Sequence, residues 1–504
     1  MAIRLRLVLP LIALLCALAA PAWASAAEFT VNVTGDAAKG EPGVSCAVAL
    51  GECTLRAAIE GADESAVGID TINFDPAVFN GEPGDTISPA PLPEITTPTT
   101  IDGADCDAGT AVACVDSSNS AGQAVFVFKA DESKLQDLSL SVGAEVVGIR
   151  VSRPGSANPG VSLIDNRIAM TSTTSPATGI QVLGPGTLIE GNTITAGFAF
   201  NFPIVLRSGP NLILGNKLFG SGCCAAGITL EFSVSGNQIG GDTAASENVI
   251  QDFLGGIKME GAGATQNEVR RNRGANFQNF IVGATLAAPV ITTALQSSAS
   301  GTAEPGATVR VFRQQNQSAG EIDGFLGEAT ADGSGNWKVT FAKEPTGTFA
   351  AATATLAGST SSLGESATLA EEPETGGGGG GGGGDNGGGG GDGGGTGSGS
   401  GGGGSPSSGS NATPIAAPAP VAPRVKITAG PKKSSAATTA KFRFRAEPTA
   451  GARFECRLDK AKWARCSSPR TYKKLKVGKH TFRVRATASG LTGAATVFKF
   501  TIKE

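Results

Sequence analysis

Between residues 145 and 285 the apolar positions come in short, strand-length runs that repeat along the chain. GIRV, GIQV, PIVL, GITL and GIKM open successive units, and their isoleucines Ile149, Ile180, Ile204, Ile228 and Ile257 lie 31, 24, 24 and 29 residues apart. A second short strand with asparagine follows each, in LIDNRI, LIEGNTI, LILGNKL, VSGNQI and NEVRRNR, placing Asn166, Asn192, Asn216, Asn237 and Asn272 in register. A coil of about 24 residues with apolar side chains inward and asparagine at a turn fits one rung of a parallel β-helix. Each rung offers open backbone to the next, so stacking satisfies the hydrogen bonds and lets the asparagines ladder. The longer interval after Gly227 contains IGGDTAASENVIQDF, which reads as a loop or a partial extra rung around Asn248.

Upstream, AEFTVNVTGD reads as a first strand. CTLRAAIEGAD then places Leu55, Ala58, Ile59 and Ala62 on one face of a short helix, an amphipathic cap for the open end of the β-helix. Downstream, PVITTAL, GTAEPGATVRVFR, GEATADGSGNWKVTF and TFAAATATLAGSTSSLGESATL are strands separated by Gly, Pro and Asp turns, a small sandwich. From Arg424 on, AKFRFRAE, RFECRLD, HTFRVRATAS and VFKFTIKE alternate apolar and charged residues at period two, as half-buried strands do. Phe442, Phe444, Phe482, Phe498 and Phe500 are the core positions of this second sandwich. Between the sandwiches, Gly376 to Gly404 is nearly all glycine, and a proline-rich stretch continues to Pro423. That linker of about fifty residues would reach roughly 40 Å if wholly flexible.

Composition narrows the chemistry. Glycine supplies 73 and proline 27 of 504 residues, against 1 histidine, 1 tyrosine, 3 tryptophans and 3 methionines, a mix for short strands rather than a helix-rich enzyme. The one histidine, His480, reads as an ordinary strand-start residue, so residues 1–479 offer no imidazole. Ser-His-Asp triads and histidine metal sites are excluded there. Arg4 and Arg6, the apolar run LVLPLIALLCALAA and the small residues of PAWASAA read as a secretory signal peptide cut near Ala24 or Ala26. No other stretch is apolar enough to span a bilayer. Of 9 cysteines, Cys16 falls in the signal, and the even remainder in an exported chain favours disulfides. Cys46 with Cys53, Cys106 with Cys114 and Cys456 with Cys466 would each close a short loop; Cys223 and Cys224 are adjacent and their pairing stays open.

The formal charge of −4 conceals a division: from Arg424 to Glu504 there are 21 Lys+Arg against 4 Asp+Glu, and elsewhere 19 against 40. Arg443, Arg445, Arg483 and Arg485 on alternating strand positions, with Lys473, Lys474, Lys476 and Lys479 close together, make a strong positive field. In an exported protein that field meets anionic cell-wall polymers or acidic polysaccharides. No sequence-specific nucleic-acid motif accompanies it. The rival reading is a polysaccharide-degrading enzyme, a lyase or glycosidase, for which Asp165 and Glu190, one rung apart, are the candidate carboxylates. Arg270, Arg271 and Arg273 in the final rung either hold an anionic sugar or form a solvated edge that discourages end-to-end stacking. Calcium is the one cofactor with any sequence support, through Asp102, Asp105 and Asp107, but no closing glutamate stands at the proper distance and the reading is no metal site.

FTVNVTGD, the Cys46 and Cys53 pair, Cys53-Thr54-Leu55-Arg56-Ala57-Ala58-Ile59 and Asp70-Thr71-Ile72-Asn73-Phe74 resemble the Cys-Ser-Leu-Arg-Glu-Ala segment that opens many exported bacterial right-handed β-helix proteins, with Thr54 and Ala57 departing from the commonest Ser and Glu. GTAEPGA at Gly301, ADGSGNW at Ala331 and the AAATATLAGSTSS ending resemble bacterial immunoglobulin-like modules, as do FECRLD at Phe454 and GKHTFRVRA at Gly478. The resemblance implies an all-β chain: a capped right-handed parallel β-helix over 27–286 after a signal peptide over 1–26, an immunoglobulin-like domain over 287–371, a linker over 372–423 and a basic immunoglobulin-like domain over 424–504. Immunoglobulin-like modules of this kind act as spacers or adhesive units. The whole reads as a secreted, extracellular, non-catalytic surface or matrix protein, with the cell wall as candidate attachment and the oligomeric state undetermined.

Overall fold

The computed structural model describes residues 26–373 and 424–503, except 50, 66–67, 81, 83, 104–112, 121, 154–159, 198–199, 223–225, 233, 262–263, 318–319, 448–452, 460, 467, 489–490 and 493–494. Residues 1–25 of the expected signal peptide, Asp105, Cys106, Asp107, Cys223, Cys224 and residues 374–423 of the expected linker therefore lie outside the described residues. The chain divides into two compact units, Met1–Glu371 and Glu372–Glu504.

Three parallel sheets wind through the first unit as a β-helix. A rung runs from Ser162–Ile164 in a nine-stranded first sheet, through Arg167–Met170 in a seven-stranded second, to Ala177–Val182 in a seven-stranded third. The third sheet stacks Ile149, Ile180, Ile204, Ile228, Ile257 and Ile281 directly on one another, in the register the repeat implies. Leu163, Ile189, Ile213 and Ile239 do the same in the first sheet, and Ile168, Ile194, Leu218 and Ile250 in the second, all sealed from solvent. Apolar side chains of similar volume, one above another, pack the interior, which is why successive units favour β-branched residues at these positions.

Asparagines occupy the corners, but in two ladders rather than one. Between the first and second sheets Asn166, Asn192, Asn216, Asn248 and Asn272 pass Nδ2–H···Oδ1 bonds of 2.9–3.0 Å from rung to rung. Each also donates from Nδ2 to the carbonyl of the preceding rung, as Asn216 does to Ile189 at 2.9 Å. Asn237 belongs to a second ladder at the entry to the first sheet, with Asn211 and Asn267. The expectation that Asn237 continues the main series is thus corrected: Asn248 holds that place, and Asn248–Gln251 is a full strand of the second sheet. The extra residues lie in a loop between Ile239 and Asn248. A corner asparagine buried away from water must satisfy all its polar atoms, and only a position inside the turn does so.

The N-terminal end is closed as the pattern suggests. Glu28–Val31 pairs with Asp70–Phe74 and extends the first sheet, while helix Leu55–Asp63 buries Leu55, Ala58, Ile59 and Ala62 in the same core as Phe29, Ile72 and Phe74. Thr54 caps the helix, its hydroxyl accepting from the Ala57 amide at 3.1 Å. Arg56 grips Asp36 through Nε and Nη2 at 3.0 and 2.8 Å and donates to the carbonyls of Ala90 and Pro91. The Cys46–Cys53 disulfide ties the strand before the helix. Ala57 is buried, so a glutamate at that position would be desolvated.

At the other end the residues after 286 seal the rod instead of standing off as a spacer. Val290–Leu295, Ser298–Thr302 and Asn336–Thr340 form one antiparallel sheet, and Thr308–Gln314, Gly324–Thr330 and Phe349–Leu356 are the long strands of the other. Val309, Val311, Trp337, Val339 and Ala350 fill the space between them. The outer side of the second sheet turns Phe312 into the β-helix core, and the segment before Gly324–Thr330 adds Ile322. Gly274 and Ile322 exchange backbone bonds of 2.8 Å, and Thr360 Oγ1 accepts from the Val269 amide at 2.9 Å.

The second unit is a separate two-sheet sandwich. Arg424–Ala429, Ala440–Glu447 and Arg470–Tyr472 form one sheet. Arg453–Leu458, Ala464–Cys466, Gly478–Ala488 and Thr496–Ile502 lie in the other, which also includes Ser434–Ser435. Phe442 stacks on Phe482 with ring centroids 4.0 Å apart, and Phe444 and Phe500 complete the buried aromatic core, with Phe498 packed half-buried against it. The Cys456–Cys466 disulfide links two paired strands.

Candidate functional site

Because successive strand residues face opposite ways, the aromatic core of the second unit forces its intervening cations outward. Phe482, Val484 and Ala486 point in, so Arg483 and Arg485 point out; Cys456 points in, so Glu455 and Arg457 point out. Pairing then sets these side chains in rows across the six-stranded sheet: Arg457 opposite Arg483, Glu455 opposite both Arg485 and Arg465, and Lys499 opposite Thr481. Trp463 lies against two of them, with the Arg457 and Arg485 guanidinium carbons 4.7 and 4.5 Å from its ring centroid. Glu455 pairs with Arg485 at 2.7 Å. Among the described residues no carboxylate pairs with Arg457, Arg465, Arg483 or Lys499.

Lys473, Lys474, Lys476 and Lys479 are exposed, on and beside the turn before Gly478–Ala488. Arg443 is half-buried on the other sheet, and the Arg445 side chain lies outside the described atoms. His480 is more than a strand-start residue. Its Nδ1 is 2.8 Å from Asp459 Oδ2 and its Nε2 2.7 Å from the Lys476 carbonyl oxygen, and the ring stacks on Phe500. Both partners only accept, so the geometry is that of an imidazolium donating twice. The Lys476 carbonyl first, then the Asp459 carboxylate, hold its pKa above the ordinary histidine value, against the opposing effect of burial.

The β-helix offers a concave surface. A groove of about 290 Å³ crosses the third sheet, lined by Gln181, Phe202, Val205, Arg207, Glu145 and Glu231. Register brings Thr178 beside Phe202 and Gln181 beside Val205, and Arg150 Nε donates to Gln181 Oε1 at 2.8 Å. Arg207 bonds Glu231 at 2.5 Å and lies 5.3 Å from the centroid of the exposed Phe232 ring.

Asp165 and Glu190 sit on adjacent rungs, one residue out of register. Glu190 pairs with Ile164, whereas Asp165 is the left-handed corner residue, φ 54°, whose counterpart in the next rung is Gly191, φ 70°. The Asp165 amide donates to the Glu190 carbonyl at 2.9 Å. Arg270, Arg271 and Arg273 are engaged within the fold. Arg270 binds Asp242 and Glu268; Arg271 and Arg273 share the buried Glu247 at 2.8 and 3.1 Å, and Arg271 packs on Phe325. Asp242 and Glu247 belong to the loop that lengthens this repeat, a pairing no local spacing reveals. Glu268 is pushed up by burial, but Arg270 and Arg310 outweigh that and hold its carboxyl below the usual glutamate range.

Of the proposed calcium aspartates, Asp102 ends a strand of the first sheet and accepts from Gln136 at 2.9 Å. Among the described residues no three His, Cys, Asp or Glu gather as a metal cluster, and no helix is long and apolar enough to cross a membrane. Cys114 is disulfide-bonded.

No known family model matches the chain, and no curated protein matches it. Among solved structures it is similar to one described as "Biofilm associated protein - BSP domain", at 10% identity over 43% of this chain and 29% of that one, with a TM-score of 0.13. The chain therefore spans under a third of that protein, and so slight a superposition informs neither fold nor function.

Proposed function

We propose that this is an exported surface or matrix protein that binds rather than degrades polymers. A rod closed at both ends presents the third-sheet groove, and a linker carries a cationic module that docks on anionic envelope polysaccharide. The observation that carries the reading is the outward array of Arg457, Arg465, Arg483 and Lys499 without carboxylate partners among the described residues, beside four exposed lysines. Such an array attracts polyanions at long range and is weakened by salt. The groove sets a ring face, Phe202, among amide, guanidinium and carboxylate groups, a combination suited to a sugar, which has both apolar C–H faces and hydroxyls.

Cosedimentation of the full chain with purified cell walls, before and after removal of their anionic polymers, tests this reading. Binding that disappears with those polymers supports it. Undiminished binding to stripped walls contradicts it, and reproducible release of reducing ends or unsaturated sugars that is lost in Asp165→Asn or Glu190→Gln makes the protein an enzyme instead.

A further inference from the structure

The cations of the second unit differ in how they are held. Four lysines sit exposed at and beside a turn, whereas two arginines of the six-stranded sheet lie against a tryptophan ring. Trp463 takes one guanidinium at 4.7 Å and another at 4.5 Å, so Arg457 and Arg485 are ordered before any ligand arrives. Arg457 faces Arg483 directly across the strand pair, an arrangement of like charges that destabilises a sheet unless something anionic lies between them. Arg465 and Lys499 stand on flanking strands of the same face, and Glu455, already paired with Arg485, is the carboxylate among them.

We propose that Arg457, Arg483 and Arg485, with Trp463 as their clamp, form a binding site for a linear polysaccharide bearing carboxylates. This rests on the docking function proposed above and assigns its residues and ligand class. Guanidinium forks match carboxylates in two-bonded geometry, which ammonium groups do not, and pre-ordered side chains lose less entropy on binding. Neighbouring strands are about 4.8 Å apart, close to the advance of one pyranose unit, so consecutive acidic sugars fall opposite consecutive strands. Nucleic acid fits less well: Trp463 already packs against two guanidiniums and has little ring surface left for a stacked base.

The test uses the full chain, polygalacturonate as probe and duplex DNA as comparison, with titration calorimetry at fixed salt and circular dichroism to confirm folding. R457Q/R483Q should weaken polygalacturonate binding by about tenfold or more, the loss of two charge-assisted contacts. Trp463→Ala, which changes no charge, should weaken it about threefold to tenfold by freeing the arginines, and Trp463→Phe should recover much of the loss. Neutralising Lys473, Lys474, Lys476 and Lys479 together to glutamine should cost less than R457Q/R483Q. If the lysine variant loses binding and the arginine and tryptophan variants do not, the site is overturned while docking on polyanions stands. Tighter binding to DNA than to polygalacturonate overturns the ligand class. No binding to either probe overturns both the site and the docking function.

Discussion

Asn216 donates from Nδ2 to Oδ1 of Asn248 at 2.9 Å, across 32 residues of sequence. Asn248 Oδ1 also accepts from the Asn216 amide at the same distance, so one side chain fixes both the backbone and the side chain of the rung before it. The loop between Ile239 and Asn248 is therefore bridged by the same corner device as the short corners of the rungs before it.

Removing one member should unsettle several groups at once. Asn216→Ala would leave the Asn192 amide and Nδ2, the Ile189 carbonyl and Asn248 Oδ1 short of a partner. Loss of stability on the order of 2–4 kcal/mol is expected. Chemical denaturation of the variant checks this, and Asn237→Ala, in the shorter ladder, should cost less.

Much of this rod is legible in the sequence and part of its corner chemistry is not. Ile149 to Ile257 could be aligned because each lies inside a short apolar strand of similar length, and burial demands that regularity. Asn237 and Asn248 could not be assigned by pattern, since both precede apolar residues and only the number of residues between corner and strand separates them. The outward cations raise the same difficulty. Arg483 and Arg485 are visible as alternation, but Arg457 joins them through cross-strand register, and Trp463 through a turn. Compensation is equally non-local: Glu247 neutralises Arg271 and Arg273 from the preceding rung.

The seal between rod and sandwich depends on Glu268, which binds Arg270 at 3.0 Å and the buried Arg310 at 3.2 Å. Its carboxyl pKa is lowered in the folded state, so its stabilisation is present above the unfolded glutamate value of about 4.5 and is lost as pH falls through the folded value. Glu268→Gln should cost about 1–3 kcal/mol and flatten the acid limb of the stability profile. Hydrogen exchange should show the loss first in residues 268–282.

His480 titrates with the opposite sign. Its pKa is raised by folding, so its contribution is fully present below the unfolded value of about 6.5 and is lost as pH rises through the folded value. The second unit should weaken over that window, and His480→Gln should remove the dependence. The sole histidine of the chain gives a single set of ring signals in proton NMR, and its midpoint should lie above that of a free imidazole side chain.

The N-terminal cap can be probed at Thr54 and Ala57. Thr54→Ser should be tolerated because a serine hydroxyl also caps the helix, whereas Thr54→Ala should cost about 1–2 kcal/mol. Ala57→Glu should cost more, by desolvating a carboxylate in a buried position. Thermal melts of the three variants rank these effects.

Affinity of the full chain for polygalacturonate as a function of salt tests the central claim most directly. Docking through Arg457, Arg483 and their neighbours should give affinity that falls steadily as ionic strength rises. Affinity independent of salt, or no binding at low salt, would contradict it.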